Sequence, residues 1–288
     1  MHWSRFLAAL TASVALSADF SGTSALEFTR KAVAFGPRPP GSPAIHQLQN
    51  YIEAQLKLRR CEIVKDPFTG ATPLGPVAME NIIAKFPGTS GHIIVITGHY
   101  DTKSMPGRHF VGANDGGSSA GFLLEMARAL PSIAHTDEID LVWLDGEEAY
   151  GQWSDTDSLY GSRHLAEKWG ADGTLGRIRA LINVDMIGDK DLDLLLETNS
   201  SASLRRLVWQ TASNLGYGKY FPDAGFAEED DHIPFLRRGV NALDLIDFDY
   251  GPNNAYWHTE QDTMDKLSAH SFEVLGNVLI HVIAELEK

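Results

Sequence analysis

Length, composition and charge narrow the classes of protein to which this chain can belong. It has 288 residues, 43% of them hydrophobic, which is enough for the core of one large domain or two small ones. Its 24 Lys and Arg residues are scattered among 38 Asp and Glu residues, and the net charge of −14 argues against a nucleic-acid partner. The single cysteine, Cys61, excludes an internal disulfide bond and a Cys-rich zinc ribbon. A metal site in this chain would need His, Asp and Glu.

The N-terminal segment resembles a secretory signal. Arg5 precedes an apolar run over 6–16, and small residues follow where a peptidase could cut. The alternative is an ordinary N-terminal helix packed on the domain. We therefore predict a signal peptide or an N-terminal helix over 1–18, and a secreted or periplasmic protein, with a cytoplasmic one as the alternative. No apolar run reaches the roughly 18 residues that cross a membrane, so we predict no membrane span.

Short β-branched runs alternate with longer amphipathic stretches along the rest of the chain, which is the pattern of an α/β layered fold. In chain order, the predicted elements are helix 24–34, helix 45–58, strand 61–66, strand 80–86, strand 92–98, helix 118–130, strand 139–145, helix 158–169, strand 180–186, strand 192–197, helix 203–215, strand 242–247 and a last helix from about 268 to 286.

The predicted strands "HIIVITG" and "IDLVWLD" are apolar almost throughout, as central strands covered on both faces should be. The sequence has no internal repeat, no low-complexity tract and no linker long enough to separate domains. We therefore predict one catalytic domain over 19–288, in which helices flank a central, twisted, mixed but mostly parallel sheet in three layers.

Polar residues follow the predicted strands at the points where they end. "HIIVITG" runs into "HYDTK", "IDLVWL" into "DGEEAYGQW", "ALINV" into "DMIGD", and "ALDLI" into "DFDYGPNNAYWHTE". In open α/β sheets, ligands bind beyond the carboxyl ends of the strands, where such loops converge. The candidate site residues in and near these loops are His99, Asp101, Asp115, Glu147, Glu148, Asp185, Asp230, His232 and His258.

Each candidate has a structural explanation when it is taken alone. His99 or His232 could be a core histidine with its hydrogen bonds satisfied, and "DGEE" could be an exposed turn. Together, however, they supply the carboxylates and imidazoles of a zinc site without thiolates, and catalytic zinc usually takes three protein ligands. Asp115, one acid of the Glu147-Glu148 pair and His258 would make such a set.

The adjacent glutamates at 147 and 148 suit two different roles. Neighbouring side chains at a strand end point in different directions, so one can bind a metal while the other faces the substrate. The free carboxyl group would sit beside a cation and an apolar wall, whose effects on its pKa oppose each other, and could act as a proton shuttle.

The motifs now carry a resemblance to a known family. "HYDTK", "DGEEA", "WSDTDSLYGSRHLA", "EDDHIPFLRRGV" and "YWHT", in this order, resemble the animal-type zinc-dependent glutaminyl cyclases, the glutaminyl-peptide cyclotransferases. "RPPGSPA" and "DPFTGATPLGPVAMENIIAKFPG" are similar too, so the likeness covers nearly everything after residue 35. The wider clan of zinc aminopeptidases shares the His, Asp and Glu positions but not "DSLYGSRHLA" and "DDHIPFLRRG". The resemblance therefore implies an aminopeptidase-like fold with cyclase activity.

The resemblance also implies roles for individual residues. It implies one zinc ion per chain, held by Asp115, Glu148 and His258. Glu147 would be the general acid and base, with Asp185 and Asp230 as a hydrogen-bonded acidic pair beside it. Trp153 and Trp257 would shape the substrate pocket, and we also assign His232 to substrate binding. His99 and Asp185 match ligand positions of the two-zinc aminopeptidases, which keeps a second metal open. Glu229 stands where an uncharged Gln is typical.

Three hypotheses for function follow from these residues. The first is an enzyme that cyclises the N-terminal glutamine of peptides or proteins to pyroglutamate with release of ammonia. The second is a two-zinc aminopeptidase of the same fold, and the third is a catalytically silent binding protein that keeps the fold. The complete ligand set argues against the third, because unpaired acids in a cleft are costly to retain. We expect a monomer that acts on peptides.

Overall fold

The structure is a computed structural model that describes residues 20–288, so the predicted signal or helix over 1–18 lies outside the described residues. The helices are α1 (Gly22–Val33), α2 (Pro43–Leu56), α3 (Gly117–Ala129), α4 (Tyr160–Ala171), α5 (Ala202–Asn214), α6 (Ile233–Leu236) and α7 (Ala269–Leu286). The strands are β1 (Glu62–Thr72), β2 (Gly75–Phe86), β3 (Ile93–His99), β4 (Glu138–Leu144), β5 (Ile178–Asp185), β6 (Leu196–Glu197), β7 (Gly225–Phe226) and β8 (Ala242–Ile246).

The central sheet has the strand order β1-β2-β4-β3-β5-β8. Strands β4, β3, β5 and β8 are parallel to one another, whereas β1 and β2 form an antiparallel hairpin whose second strand pairs with β4. The prediction of a mixed and mostly parallel sheet is therefore confirmed. The parallel strands bring all their carboxyl ends to the same edge, which is where the polar loops begin.

Helices cover both faces of this sheet and complete the three layers. Alternate residues of β3 belong to different cores: Ile94 and Ile96 pack with α1, α2, α3, α5 and α7, whereas Ile93 and Val95 pack with α4 and α6. This alternation follows from the two-residue period of a strand. It explains why the central strands are apolar at nearly every position.

The predicted helices are present, with ends that differ by a few residues. Serine side chains begin several of them: Ser21 Oγ accepts the backbone N–H of Ser24, Ser42 Oγ that of Ile45 and Ser268 Oγ that of His270. Such capping satisfies N–H groups that have no partner within the helix. None of the helices within 20–288 is long and apolar enough to span a membrane.

The prediction of a strand over 192–197 is wrong for most of its length, because only Leu196–Glu197 pairs as a strand, and its partner is β7. Leu192 and Leu194 are buried in the core, which explains their apolar pattern. The backbone here is bonded outside any strand pair: the N–H of Leu194 donates to the carbonyl of Tyr220, 2.9 Å away. Burial without a neighbouring strand produces the same sequence pattern as a buried strand.

The hairpin of β1 and β2 is longer than predicted. Pro67 and Pro76 lie inside its strands, and both residues favour a turn when the sequence is considered alone. β1 is an edge strand of the sheet, where a proline that cannot donate a hydrogen bond is tolerated.

Candidate active site

The carboxyl edge of the parallel strands gathers the predicted site residues. His99 is the last residue of β3, Asp185 is the last residue of β5, and Glu147 and Glu148 follow the end of β4. Asp115 lies just before α3, and His258 lies in the long connection between β8 and α7. The fold therefore joins residues that are up to 159 positions apart in the chain, the separation of His99 and His258.

Asp115, Glu148 and His258 form a group whose ligand atoms lie within 4.8 Å of one another. His258 Nε2 is 3.0 Å from Glu148 Oε1 and 3.2 Å from Asp115 Oδ2. Asp115 Oδ2 is buried and accepts no hydrogen bond in the described structure. Two carboxylates and one imidazole nitrogen that converge on one point are a suitable donor set for a divalent cation such as zinc.

Asp262 fixes the backbone at Asp115 through hydrogen bonds. The two carboxylate oxygens of Asp262 accept the N–H groups of Asn114 and Asp115 at 2.8 and 3.2 Å. Tyr250 donates its hydroxyl to the same carboxylate at 2.7 Å. Sequence analysis did not select Asp262, since one acid in a polar loop carries no signal of its own.

Gly116, directly after Asp115, lets two segments of the protein approach each other closely. A Cβ atom there would lie 2.2 Å from the carbonyl oxygen of Asp101 and 3.0 Å from the His99 ring. Its φ of 75° also lies in the left-handed region that glycine adopts without strain.

Aromatic rings fix the orientation of His258. Trp257 stacks on the imidazole with ring centroids 4.0 Å apart, and Phe110 meets it edge-on at 5.9 Å. His258 itself has a φ of 52°, which is uncommon for a residue other than glycine and adds local strain. Packing on both sides supports this conformation and points Nε2 at the two carboxylates.

A second group, formed by His99, Asp115 and Asp185, lies beside the first. His99 Nε2 is 3.0 Å from Asp185 Oδ1 and 3.3 Å from Asp115 Oδ1. Asp115 therefore belongs to both groups. The structure brings the two predicted second-metal positions together, whereas their occupancy by a metal stays a prediction.

Glu147 and Glu148 point to different partners, as expected of adjacent residues after a strand. Glu147 Oε2 is 4.0 Å from His99 Nδ1, and the Glu147 backbone N–H donates to Asp101 Oδ1 at 3.2 Å. Glu148 Oε2, in contrast, accepts a hydrogen bond from Lys103 Nζ at 3.1 Å. Lys103 closes the quoted motif "HYDTK", yet sequence analysis did not select it.

Asp185 and Asp230 both face the cavity, but no hydrogen bond within residues 20–288 joins them directly. Asp185 Oδ1 bonds His99 and the backbone N–H of Met186. Asp230 Oδ2 accepts the Asn183 side-chain amide at 3.0 Å. Two carboxylates repel each other when both are ionised, and each has a separate donor here.

His232 is fully buried and does not line the cavity. His232 lies at the start of α6, and its Nε2 is 3.2 Å from Oε2 of Glu197 in β6. The structure therefore does not bring His232 to a place where it could contact a substrate directly.

The site opens into a cavity of about 450 Å³, within the usual range for a small-molecule site. Both predicted tryptophans line it: Trp153 is 40% exposed and Trp257 is 36% exposed. Large aromatic side chains that are this exposed are available to a ligand. Phe248 and Glu228 also line the cavity, and sequence analysis selected neither: Phe248 lies in the quoted stretch after β8, where the acidic and histidine residues drew attention, and Glu228 lies outside the quoted motifs.

Electrostatics distinguishes the acids in the cavity. Burial raises the pKa of Glu147 well above its usual range; the positive charge of His99 opposes this shift and the negative charge of Glu148 adds to it. Burial also raises the pKa of Asp115, but contacts with His258 and His99 outweigh it and hold that pKa below its usual range. For His258 itself, burial lowers the pKa, and the contacts with Asp115 and Glu148 raise it to about 9.

Comparison with known proteins identifies the family. The model of peptidase family M28 matches residues 81–283. The chain is 33% identical to the glutaminyl-peptide cyclotransferase-like protein of Mus musculus, in an alignment that covers 86% of this chain and 72% of the mouse protein. The chain belongs to the glutaminyl-peptide cyclotransferases of peptidase family M28.

Solved structures agree with membership in the cyclotransferase family. A glutaminyl cyclase from an Acidobacteriales bacterium is 40% identical, with a TM-score of 0.91 and 99% coverage of both chains. A Zn-dependent exopeptidase from Parabacteroides distasonis is 28% identical, with a TM-score of 0.83 and coverage of 92% of this chain and 98% of the exopeptidase. The predicted aminopeptidase-like fold is confirmed, and the fold is shared by both classes of enzyme.

Proposed function

We propose that this protein cyclises the N-terminal glutamine of peptides or proteins to pyroglutamate and releases ammonia. The observation that carries the proposal is the cavity itself. An acid-acid-imidazole group lies at one side, Glu147 lies next to it, and two exposed tryptophans form other walls. The names of the cyclotransferase relatives and of the Acidobacteriales structure support the same reaction.

We propose one zinc ion per chain, bound by Asp115, Glu148 and His258. The donor set fits, because its atoms converge within 4.8 Å and Asp115 Oδ2 is buried without a hydrogen-bond donor in the described part of the chain. When bound, zinc would supply Lewis-acid polarisation of the glutamine side-chain carbonyl.

Glu147 is the residue we assign to proton transfer. Its carboxylate lines the cavity next to Glu148, while its backbone N–H is anchored to Asp101 Oδ1. In the reaction, the substrate α-amine attacks the carbonyl carbon of its own side-chain amide, and a C–N bond forms. Glu147 takes one proton from that amine and returns it to the amide nitrogen, which leaves as ammonia when its bond to carbon breaks. The reaction consumes no water.

The aromatic walls of the cavity reduce the entropic cost of ring closure. A glutamine side chain must fold back on its own amine, and free rotation makes that conformation rare. Trp153 and Trp257 offer rigid surfaces against which the folded side chain could pack. Asp185 and Asp230 lie beside Glu147 in the cavity wall, and we assign both to supporting its proton transfer.

A two-substrate assay tests the proposal. The zinc-loaded protein is incubated with a Gln-initiated peptide and with a Leu-initiated fluorogenic peptide. We expect ammonia release and loss of the free amine from the first, without release of leucine from the second. Release of leucine alone would contradict cyclase activity, and inactivity on both would favour a binding protein.

The two-zinc aminopeptidase remains a second candidate because of one observation. His99, Asp115 and Asp185 form a second possible metal group that shares Asp115 with the first. Two zinc ions per chain together with release of leucine would support this alternative.

We further propose that residues 19–288 form the catalytic domain, that the protein acts as a monomer, and that it is secreted or periplasmic. The single central sheet with helices packed on both faces supports the first proposal, and the N-terminal sequence supports the third. Size-exclusion chromatography with light scattering tests the monomer. N-terminal sequencing of the exported protein tests whether the segment over 1–18 is removed.

A further inference from the structure

One wall of the cavity carries a carboxylate for which the proposed reaction has no use. Glu228 lines the cavity, and it is half-buried. Neither proton transfer nor metal binding has been assigned to it. Its place in the wall therefore calls for another partner.

Glu228 has no cation of its own within residues 20–288. The neighbouring Glu229 is paired with Arg237 at 3.1 Å, and Arg237 also binds Asp155 at 2.7 Å. Lys103, the cation in the cavity wall, is paired with Glu148 at 3.1 Å. Only a backbone N–H, that of Glu229, donates to Glu228 Oε1, at 3.3 Å. A half-buried carboxylate without a cationic partner favours the binding of a positively charged ligand.

The backbone of Glu228 is fixed on both sides. Its N–H donates to Glu197 Oε1 at 3.2 Å, and its carbonyl accepts the Asn199 side-chain amide at 2.9 Å. Glu197 is in turn held by His232. A carboxylate on an anchored backbone needs little reorganisation when it binds a ligand.

Aromatic rings continue the wall from Glu228 towards the proposed metal ligands. Phe226, two residues before Glu228, stacks parallel to Phe248 with ring centroids 6.5 Å apart. Phe248 meets Trp257 at 5.0 Å, and Trp257 stacks on His258. A Lys or Arg side chain has an apolar stem that packs on such rings and a cationic end that is attracted to their faces.

We propose that Glu228, together with Phe248 and Trp257, forms a subsite for a Lys or Arg side chain at the second position of the substrate, directly after the N-terminal glutamine. This inference rests on the proposed cyclase function. The substrate class would then be peptides that begin with Gln-Lys or Gln-Arg. The second residue is the one in question because Glu228, Phe248 and Trp257 line the same cavity as the proposed metal ligands, and the residue bonded to the glutamine is the part of the peptide nearest to it.

The test compares three peptides that differ only at the second residue: Gln-Lys, Gln-norleucine and Gln-Glu. Norleucine keeps the apolar stem of lysine and lacks its charge. With the full, zinc-loaded chain at low ionic strength, we expect kcat/KM for Gln-Lys to exceed that for Gln-norleucine by about two- to fivefold, as for a partly exposed ion pair. Gln-Glu should be the poorest substrate, and added salt should reduce the differences.

Two variants locate the effect. Glu228→Gln keeps the shape of the side chain and should remove the advantage of Gln-Lys while leaving kcat/KM for Gln-norleucine nearly unchanged. Asp223→Asn removes the same charge from an exposed residue outside the cavity wall, and it should keep the advantage.

Equal kcat/KM for Gln-Lys and Gln-norleucine in the unmodified protein would overturn the inference while leaving the proposed function intact. An equal loss for all three peptides in Glu228→Gln would also overturn it, since Glu228 would then bind the α-ammonium group that all three share. Absence of cyclisation with every peptide would refute the proposed function and, with it, this inference.

Discussion

The carboxylates of Glu147 and Glu148 adjoin in the chain but have different partners. Glu148 Oε1 lies 3.0 Å from His258 Nε2, within the proposed metal group, whereas Glu147 Oε2 lies 4.0 Å from His99 Nδ1. Both side chains follow the end of the same strand, so their different surroundings come from the different loops that contact each of them. The two glutamates should therefore respond differently to the same substitution.

Glu147→Gln should leave zinc bound and the fold intact while kcat falls by about 10²- to 10⁴-fold, the usual effect of losing general acid and base catalysis. Glu148→Gln should lower zinc affinity, and excess zinc should restore part of the activity. Metal analysis and steady-state kinetics on both variants check this prediction. If Glu147→Gln loses the metal and Glu148→Gln keeps it, the assigned roles are exchanged.

Removal of the metal should abolish activity and lower the melting temperature. A ligand that binds only the folded state stabilises it, by about 4 kcal/mol when its concentration is 1,000 times Kd. We expect about one zinc per chain by elemental analysis, as for a site with three protein ligands. Asp115→Asn should weaken zinc binding, whereas Asp189→Asn, in an acidic loop outside both metal groups, should not. A fully active, metal-free preparation would refute the zinc assignment.

Trp257→Ala should raise KM by roughly tenfold, since the ring both lines the cavity and orients His258. The free energy of unfolding of the Trp257→Ala variant should change little, because this side chain is 36% exposed. The matched control is Trp169→Ala: that ring is buried against Phe235 in the core and does not line the cavity, and its loss should cost about 3–5 kcal/mol with little change in KM. An unchanged KM combined with a large loss of stability in Trp257→Ala would show a structural role only.

Asp262→Asn should weaken zinc binding several-fold although Asp262 belongs to neither metal group. An amide has one acceptor oxygen, so the N–H of either Asn114 or Asp115 would lose its partner at a cost of about 1–3 kcal/mol. Tyr250→Phe removes only the hydroxyl donor to Asp262 and should leave zinc affinity nearly unchanged. Competition with a chelating dye measures both affinities, and equal values for Asp262→Asn and the unmodified protein would contradict this positioning role.

Glu197 should make the stability of the fold sensitive to acid. Burial raises its pKa, but the contact with His232 and the hydrogen bonds from the backbone N–H of Asn199 and the Ser200 hydroxyl outweigh this and lower the pKa from 4.5 to about 2. A lowered pKa in the folded state gives stability that is present above pH 4.5 and is lost as the pH falls towards 2. This lowering of the pKa corresponds to roughly 3 kcal/mol of stability.

The comparison of Glu197→Gln with the unmodified protein isolates this contribution, because other buried acids titrate in both. Denaturant unfolding at pH 7 should show a lower free energy of unfolding for the variant than for the unmodified protein. This difference between the two proteins should become smaller as the pH falls from 4.5 to 2. A difference that stays constant over this range would mean that the charge of Glu197 does not contribute.

The amino-acid sequence by itself determined the class of fold and most of the site. Apolar runs such as 93–98 indicate strands buried on both faces, and the polar residues after them indicate a site at the carboxyl ends. The family resemblance of the motifs adds Asp115, Glu148 and His258 as zinc ligands, and their binding of zinc stays a prediction. The class of fold could be predicted because strand burial is a local property of the chain.

Only the tertiary structure decided which side chains meet. The strand order brings β3 next to β5 and so pairs His99 with Asp185, whereas Asp230 takes Asn183 as its donor. It also buries His232 against Glu197 and leaves Glu228 in the cavity wall. Hydrophobic periodicity indicates which residues are buried but not which element covers them. The contacts between distant loops depend on the spatial order of the strands in the sheet.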